Sequence, residues 1–275
     1  MTTIPPRPPR KIAVQAERHA LVTAVLLALV YFAGLQFVVL FLRDHAPNLP
    51  SFVYGLLLYA LFVVIGIVLL TAFGWWREAG FVAPARWRHR GLWLPLALWL
   101  LIEIGGLIAL SPHVELGALL TGNHLTSWGQ FVFFTLILLV YTLLIAFTEE
   151  TFFRGLALRA LERYGWMNAA LISSVLFGLA HLSNALVPYT PAELALRAVQ
   201  AALFGFFFAA VRLRMRTIWP TLIVHALFDT TFTLVVGAFQ PDVYSLPWSI
   251  VTQGVSLVFA AYGVYLIRRG ERNGA

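Results

Sequence analysis

Long apolar runs separated by short polar stretches make up most of the chain between residues 20 and 267. Each run has roughly the 20 residues that cross a bilayer as an α-helix. The pattern therefore predicts an all-α polytopic membrane protein with about eight transmembrane helices. The predicted spans are 20–42, 51–73, 91–110, 129–149, 168–184, 194–211, 217–238 and 246–267.

Basic residues lie at alternate ends of these spans. With a cytoplasmic N-terminus, only Arg43 and Arg197 of the 19 Lys and Arg residues fall outside cytoplasmic segments. The positive-inside rule favours this orientation, so both termini are predicted to be cytoplasmic. The predicted organisation is a cytoplasmic tail over 1–19, a single transmembrane domain over 20–267 and a second tail over 268–275. The predicted location is a prokaryotic cytoplasmic membrane.

Composition agrees with a membrane protein. Hydrophobic residues make up 60% of the chain and charged residues 11%, whereas a soluble domain has about 25% charged residues. The net charge of +7 does not indicate nucleic acid as a partner, because the arginines lie in short segments at span ends, where they face anionic lipid. The absence of cysteine excludes disulfides, iron–sulfur clusters and thiolate zinc sites.

A few acidic residues and histidines nevertheless fall within the predicted spans or, in one case, in the motif directly after the end of one. They are Glu103, Glu149, Glu150, His181, His225 and Asp229. Lipid penalises such residues, so each one is a candidate functional residue whose charge must be balanced by a partner.

The stretch "FTEETFFRG" at 147–155 places two adjacent glutamates at the end of an apolar run. Glu150 and Arg154 are four residues apart, so they share a helical face and can form an ion pair. Glu149 is rotated by about 100° from Glu150 and has no such partner on its own helix. The alternative interpretation is a structural anchor at the membrane surface.

Two further motifs follow on later spans. "FGLAH" at 177–181 carries His181, and "HALFD" at 225–229 carries His225 and Asp229 on one helical face. Either motif alone is compatible with hydrogen bonds that only support packing. Polar positions on three different apolar helices together predict one polar cavity inside the bundle.

The three motifs, in this order on successive membrane helices, resemble those of the CPBP family. This family contains type II CAAX prenyl proteases and bacteriocin-processing and immunity proteins. The motifs stand here as Glu149–Arg154, Phe177–His181 and His225–Asp229. The resemblance covers about 125–240, and the remaining helices match only in being hydrophobic.

The resemblance implies an intramembrane endopeptidase whose active site opens toward the cytoplasm. It implies that Glu149 and His181 activate a water molecule, while His225 and Asp229 stabilise the oxyanion. The substrate would be a protein or peptide that enters from the membrane or the cytoplasmic face. The residues that would support the site are Glu150, Arg154 and Phe177.

Asp229 departs from the family pattern, which has asparagine at this position. An ionised aspartate would repel an oxyanion, so Asp229 must be protonated, orient His225 or bind a metal. Glu149, His181 and His225 could together bind one divalent metal such as zinc, although the chain has no His-Glu-x-x-His motif. The cofactor prediction is therefore either none or one such metal.

The predicted depths of two site residues disagree. Glu149 ends its predicted span on the cytoplasmic side, whereas His181 lies 13 residues into its own span, roughly 20 Å deeper. For these residues to meet, 149–167 must enter the bundle or the predicted boundaries must shift.

Two other function classes remain open. The first is a non-catalytic scaffold or immunity protein with the same fold. The second is a proton- or cation-coupled transporter that uses buried carboxylates, for which Glu103 would be the best-placed residue. A helix contact lined by glycine, bridged by a hydrogen bond worth about 1 kcal/mol, also explains Glu103.

Overall fold

Apolar α-helices account for nearly all of the chain that the computed structural model describes, which is 10–82, 91–109, 111, 114–182, 190–239 and 246–272. These residues contain no β-strand. The helices are α1 Lys11–Arg18, α2 Ala20–His45, α3 Ser51–Phe73, α4 Trp93–Ala109, α5 Ala118–Thr121, α6 Trp128–Glu149, α7 Leu158–Leu161, α8 Trp166–Ala180, α9 Pro191–Met215, α10 Trp219–Phe239 and α11 Leu246–Arg272. A π-helical segment, Glu150–Ala157, joins α6 to α7, and a 3₁₀ turn, Glu162–Tyr164, follows α7.

Each predicted span coincides with an apolar helix. Among the described residues, six helical stretches are long and apolar enough to cross a membrane. They are Ala20–His45, Phe52–Phe73, Trp128–Tyr164, Pro191–Met215, Trp219–Phe239 and Ile250–Arg272. Helices α4 and α8 are apolar but shorter, with 17 and 15 residues. The all-α membrane fold is confirmed, while the count of eight crossings and the orientation stay predictions.

The fourth predicted span, 129–149, matches α6, but the helical stretch does not end with it. The helix continues through the π-helical segment and α7 as one stretch of 37 residues, Trp128–Tyr164. Glu150 and Arg154 do not end it, because both are buried inside the protein, with 0% and 1% of their surfaces exposed. Glu149 therefore lies inside a long helical stretch, and it contacts His225, which lines the same cavity as His181.

Local sequence signals set several helix ends. The Ser127 side chain accepts a hydrogen bond from the Gln130 backbone N–H and caps α6. Thr190 and Glu193 form a reciprocal capping box at the start of α9. Gly165 separates α7 from α8 with a φ of 85°, a conformation that glycine adopts without strain.

The second half of helix α9 is almost entirely buried. Helix α9 packs against α8 and α11. Gly178 permits a close approach of α8 to α9, because a Cβ at this position would lie 2.8 Å from Ala202 Cβ. Helix α10 packs against α6 and α4, and the π-helical segment packs against α2 and α3. The motif-bearing helices are thus adjacent in the bundle.

Part of the predicted N-terminal tail is ordered. Helix α1 buries Ala13 and Ala16, and Arg10 donates hydrogen bonds to the carbonyls of Thr71 and Ala72 at the end of α3. At the other terminus, α11 extends past the predicted boundary at residue 268 to Arg272.

The orientation is testable with introduced cysteines, because the natural chain has none. We expect a cysteine at the exposed Glu115 to react with an impermeant thiol reagent in intact cells. A cysteine at the exposed Asn168 should react only after permeabilisation. Labelling of both positions from the same side, or the reverse pattern, would contradict the predicted topology.

Candidate active site

The first motif lies on the π-helical segment. Glu150 Oε1 and Arg154 Nη1 are 3.3 Å apart, so the predicted ion pair is present and is fully buried. π-Helical turns are rare and occur frequently at functional sites. They disturb the regular backbone ladder, and here the Ser173 hydroxyl of α8 donates a 2.7 Å hydrogen bond to the carbonyl of Phe153.

Arg154 was expected in a cytoplasmic segment as well as in the motif, but it lies inside the bundle. Its guanidinium carbon is 3.9 Å from the centre of the Phe177 ring, which is the cation–π contact that the second motif contributes. Gly205 makes room for this pair, since a Cβ there would lie 3.0 Å from both Arg154 Nη2 and the Phe177 ring. The sequence did not single out Gly205, because glycines are common in membrane helices.

His225 connects the first and third motifs. Its Nδ1 lies 3.1 Å from Glu150 Oε1, and its Nε2 lies 3.5 Å from Glu149 Oε2. The same Nε2 lies 3.7 Å from Asp229 Oδ2, which is beyond ordinary hydrogen-bond length. Three carboxylates thus surround the imidazole ring of His225. The Phe204 ring packs nearly perpendicular to this imidazole, with 5.3 Å between the two ring centroids.

Glu149 has a second partner that the sequence did not identify. The Tyr31 hydroxyl of α2 donates a hydrogen bond of 3.2 Å to Glu149 Oε1. Tyr31 is 2% exposed and packs against the rings of Phe62, Phe152 and Phe153. A tyrosine in an apolar span carries no distinguishing pattern, so no signal in the sequence could have selected Tyr31.

A cavity of about 170 Å³ brings the second and third motifs together. His181, His225 and Asp229 all line it. His181 Nδ1 is 2.9 Å from the carbonyl of Phe177, one turn earlier on the same helix. Among the described residues, His225 rather than His181 is the histidine that contacts Glu149, so the four predicted catalytic residues converge on one site through His225.

Arg197, one of the two exceptions to the predicted charge distribution, also lines this cavity. It interacts electrostatically with Asp229 and with His181. A cation beside Asp229 offsets part of the carboxylate charge that the third motif places in the bundle. The interaction with Asp229 therefore gives a physical reason for a cation at residue 197.

The predicted metal ligands do not form a metal-binding group. Over the part of the chain that the structure describes, no three His, Cys, Asp or Glu side chains are arranged to hold a metal ion. Both ring nitrogens of His225 face carboxylates, and one nitrogen of His181 faces a backbone carbonyl. Glu149, His181 and His225 thus do not fit a zinc site in this conformation, and a metal cofactor stays an untested prediction.

Glu103 lies outside the site. It is fully buried on α4, and Ser256 of α11 faces it. Gly106, one turn further on, is in close contact with α11, since a Cβ there would lie 3.1 Å from a methyl group of Val251. The surroundings of Glu103 are those of a glycine-lined helix contact.

The fold and the site define a class: a polytopic α-helical membrane protein with a buried cluster of carboxylates and histidines. Residues 131–231 match the family described as Type II CAAX prenyl endopeptidase Rce1-like. This segment lies within 125–240 and contains all three motifs, so the match confirms the resemblance to the CPBP family that their order predicted. The match indicates an intramembrane protease. No curated protein and no solved structure matches the chain.

The buried ion pair of the first motif predicts a loss of stability on Glu150→Gln. The substitution leaves Arg154 buried without its carboxylate partner, which costs about 3–5 kcal/mol. We expect less folded protein and a lower midpoint of thermal unfolding in detergent. The matched control is Glu17→Gln, which removes the half-exposed partner of Arg159 and should cost about 0–1 kcal/mol. Equal midpoints for the two variants would contradict the structural role of Glu150.

Proposed function

We propose that the protein is an intramembrane endopeptidase in which Glu149 acts as the general base for peptide hydrolysis. The observation that carries the proposal is the 3.5 Å contact of Glu149 Oε2 with His225, a residue of the cavity wall, within the segment that matches the endopeptidase family. Glu150 is paired with Arg154, which leaves Glu149 as the glutamate of the motif available to accept a proton.

In the proposed reaction, Glu149, which is linked to the cavity wall by its contact with His225, accepts a proton from a water molecule beside that contact. The hydroxide attacks the carbonyl carbon of the peptide bond and forms a tetrahedral oxyanion. As the carbon–nitrogen bond breaks, the proton held by Glu149 passes to the leaving amine. A new carboxyl group and a new amino group result, and Glu149 is regenerated.

We propose that the two histidines supply donors to the reacting groups. His181 and His225 both line the cavity, so a peptide there can contact either imidazole. We assign His181 to positioning the water with Glu149, and His225 to donating toward the oxyanion. A donor fixed in a low-dielectric site stabilises a developing charge more than the same donor does in water.

We propose that Asp229 acts on His225 through its charge. Its Oδ2 is 3.7 Å from His225 Nε2, which is beyond ordinary hydrogen-bond length, and Arg197 supplies a nearby positive charge. An ionised carboxylate would repel an oxyanion, so we do not assign Asp229 a direct bond to it. In the third motif this chain has aspartate where asparagine was expected, and Arg197 of α9 supplies a positive charge that interacts with this aspartate.

The alternative function classes have less support. A scaffold or immunity protein has no need for three polar side chains that line one cavity, with a fourth, Glu149, in contact with one of them. A transporter would use Glu103, but this residue lies at the α4–α11 contact and does not line the cavity. The proposed substrate is therefore a protein or peptide segment that reaches the cavity through the bilayer or from its cytoplasmic face.

The role of Glu149 is tested by Glu149→Gln, which preserves size but removes the base. We expect the protein level to hold, while proteolysis falls by about 10²-fold or more. The measurement compares peptides in the membrane fraction and in the culture medium between wild-type and variant cells by quantitative mass spectrometry. Peptides that disappear with the variant identify the substrate.

The matched control is Glu103→Gln, which neutralises a buried carboxylate outside the cavity. The peptide profile of this variant should equal that of the wild type. An unchanged profile for Glu149→Gln would rule out the proposed mechanism, and a profile changed equally by both variants would indicate a transport function instead.

The hydrogen bond from Tyr31 predicts that Tyr31→Phe lowers kcat. A hydrogen bond to a charged group contributes about 1.5–3 kcal/mol, so its loss from Glu149 should reduce kcat about tenfold or more. KM should hold, because Tyr31 does not line the cavity. The measurement is kcat and KM on a substrate identified as above.

Tyr59→Phe on α3 is the matched control, since it removes a hydroxyl from a neighbouring tyrosine that packs against Tyr141. This variant should retain wild-type kcat. If Tyr31→Phe changed KM alone, or changed kcat no more than the control does, Tyr31 would not position Glu149.

A further inference from the structure

A second cavity, separate from the active site, is lined only by charged side chains. Its volume is about 320 Å³. The lining residues are Arg77, Glu78, Arg159, Glu162, Arg212 and Arg216. Four guanidinium groups therefore face one space together with two carboxylates, and nothing in the proposed peptidase mechanism uses them.

Three separate parts of the fold contribute to this arginine cavity. Arg77 follows α3, Arg159 lies on α7, and Arg212 and Arg216 lie at the end of α9. This is the end of the bundle that the charge distribution predicts to be cytoplasmic, where anionic lipid headgroups lie.

Aromatic and acidic neighbours hold two of these arginines in place. Arg159 forms a 2.6 Å ion pair with Glu17, and its guanidinium lies 5.4 Å from the centre of the Trp75 ring. Arg216 lies 4.9 Å from the centre of the Trp166 ring. An arginine that only sets membrane topology needs no such fixed position, because a solvated side chain serves equally well.

Arg212 is buried at the base of the cavity and is 1% exposed. It pairs with the Glu162 carboxylate and donates to the carbonyl of Glu78, while its Nε has no hydrogen-bond partner. Arg159 and Arg216 both repel it electrostatically. Like charges that line one cavity repel each other, and a bound anion would offset this repulsion.

The backbone at Arg216 is also unfavourable. Its φ is 55°, in the left-handed region that side chains other than glycine and asparagine rarely adopt. Strained backbone conformations occur preferentially at ligand-binding and other functional positions. Glycine at residue 216, directly after the end of α9, would remove the strain but would also remove the guanidinium group from the cavity.

We propose that the arginine cavity binds a phosphate group, carried either by an anionic phospholipid headgroup or by free phosphate. Guanidinium groups form short, charge-assisted and often bidentate bonds to phosphate oxygens. Basic pockets between membrane helices on the cytoplasmic side are suited to lipid headgroups. The cavity and the active site share no lining residue, so the proposal does not depend on the proposed peptidase activity.

The test measures thermal unfolding of the full chain in a neutral detergent. Short-chain phosphatidylglycerol, inorganic phosphate, or sodium chloride at matched ionic strength is added in increasing concentration. The test variant is Arg77→Gln combined with Arg216→Gln, since both side chains are exposed and neither ion pair of the cavity involves them. The control variant is Arg268→Gln combined with Arg272→Gln, which removes two arginines of α11 outside the cavity.

Binding to the folded state raises the unfolding midpoint as ligand is added. We expect such a rise for the wild type and for the control variant, with sodium chloride giving none. The test variant should need about tenfold more ligand or more for the same rise. If the double substitution prevents folding, Arg77→Gln alone replaces it and the same comparison holds.

A rise with both phosphate compounds supports recognition of the phosphate group itself, and a rise with phosphatidylglycerol alone supports a lipid headgroup. The proposal is overturned if neither compound raises the midpoint or if sodium chloride raises it equally. It is also overturned if the test and control variants respond alike.

Discussion

The buried ion pair between Glu150 and Arg154 is the constraint on which the site depends. A guanidinium inside an apolar bundle is tolerated only with a carboxylate partner, and the two groups must come from adjacent turns or adjacent helices. Here they lie on one π-helical turn at 3.3 Å, and the face of Phe177 covers the cation. Because Glu150 also contacts His225, the pair fixes α10 relative to the first motif as well as balancing its own charge.

This pairing explains why two glutamates stand side by side. Glu150 contacts both Arg154 and His225 through Oε1, so we assign it a structural role even though its carboxylate lies in the site. Glu149 faces a different direction, with one oxygen toward Tyr31 and the other toward His225. Adjacent positions on a helix point to different faces, and that geometry lets one carboxylate support the fold while its neighbour remains free for chemistry.

Much of this arrangement could be predicted from sequence, because it depends on local spacing. Apolar runs predicted the helices, and the four-residue spacing predicted the pair Glu150–Arg154 and the proximity of His225 to Asp229. The helical continuation beyond α6 was not predicted, since hydropathy treats a charged residue as a boundary, whereas burial of the charge allows the helical stretch to extend to Tyr164. The contact of Tyr31 with Glu149 joins residues 118 positions apart, and only tertiary packing determines it.

The arginines divide into two groups with different physical roles, and the sequence alone does not separate them. Four of them, Arg77, Arg159, Arg212 and Arg216, line one cavity. Arg154 forms an ion pair with Glu150, and Arg197 interacts electrostatically with Asp229. Arg197 is an exception in the predicted charge distribution because it falls outside the predicted cytoplasmic segments. Counted with Asp229, it offsets a negative charge that the third motif places inside the bundle, so the exception is a consequence of the site rather than a weakness of the topology.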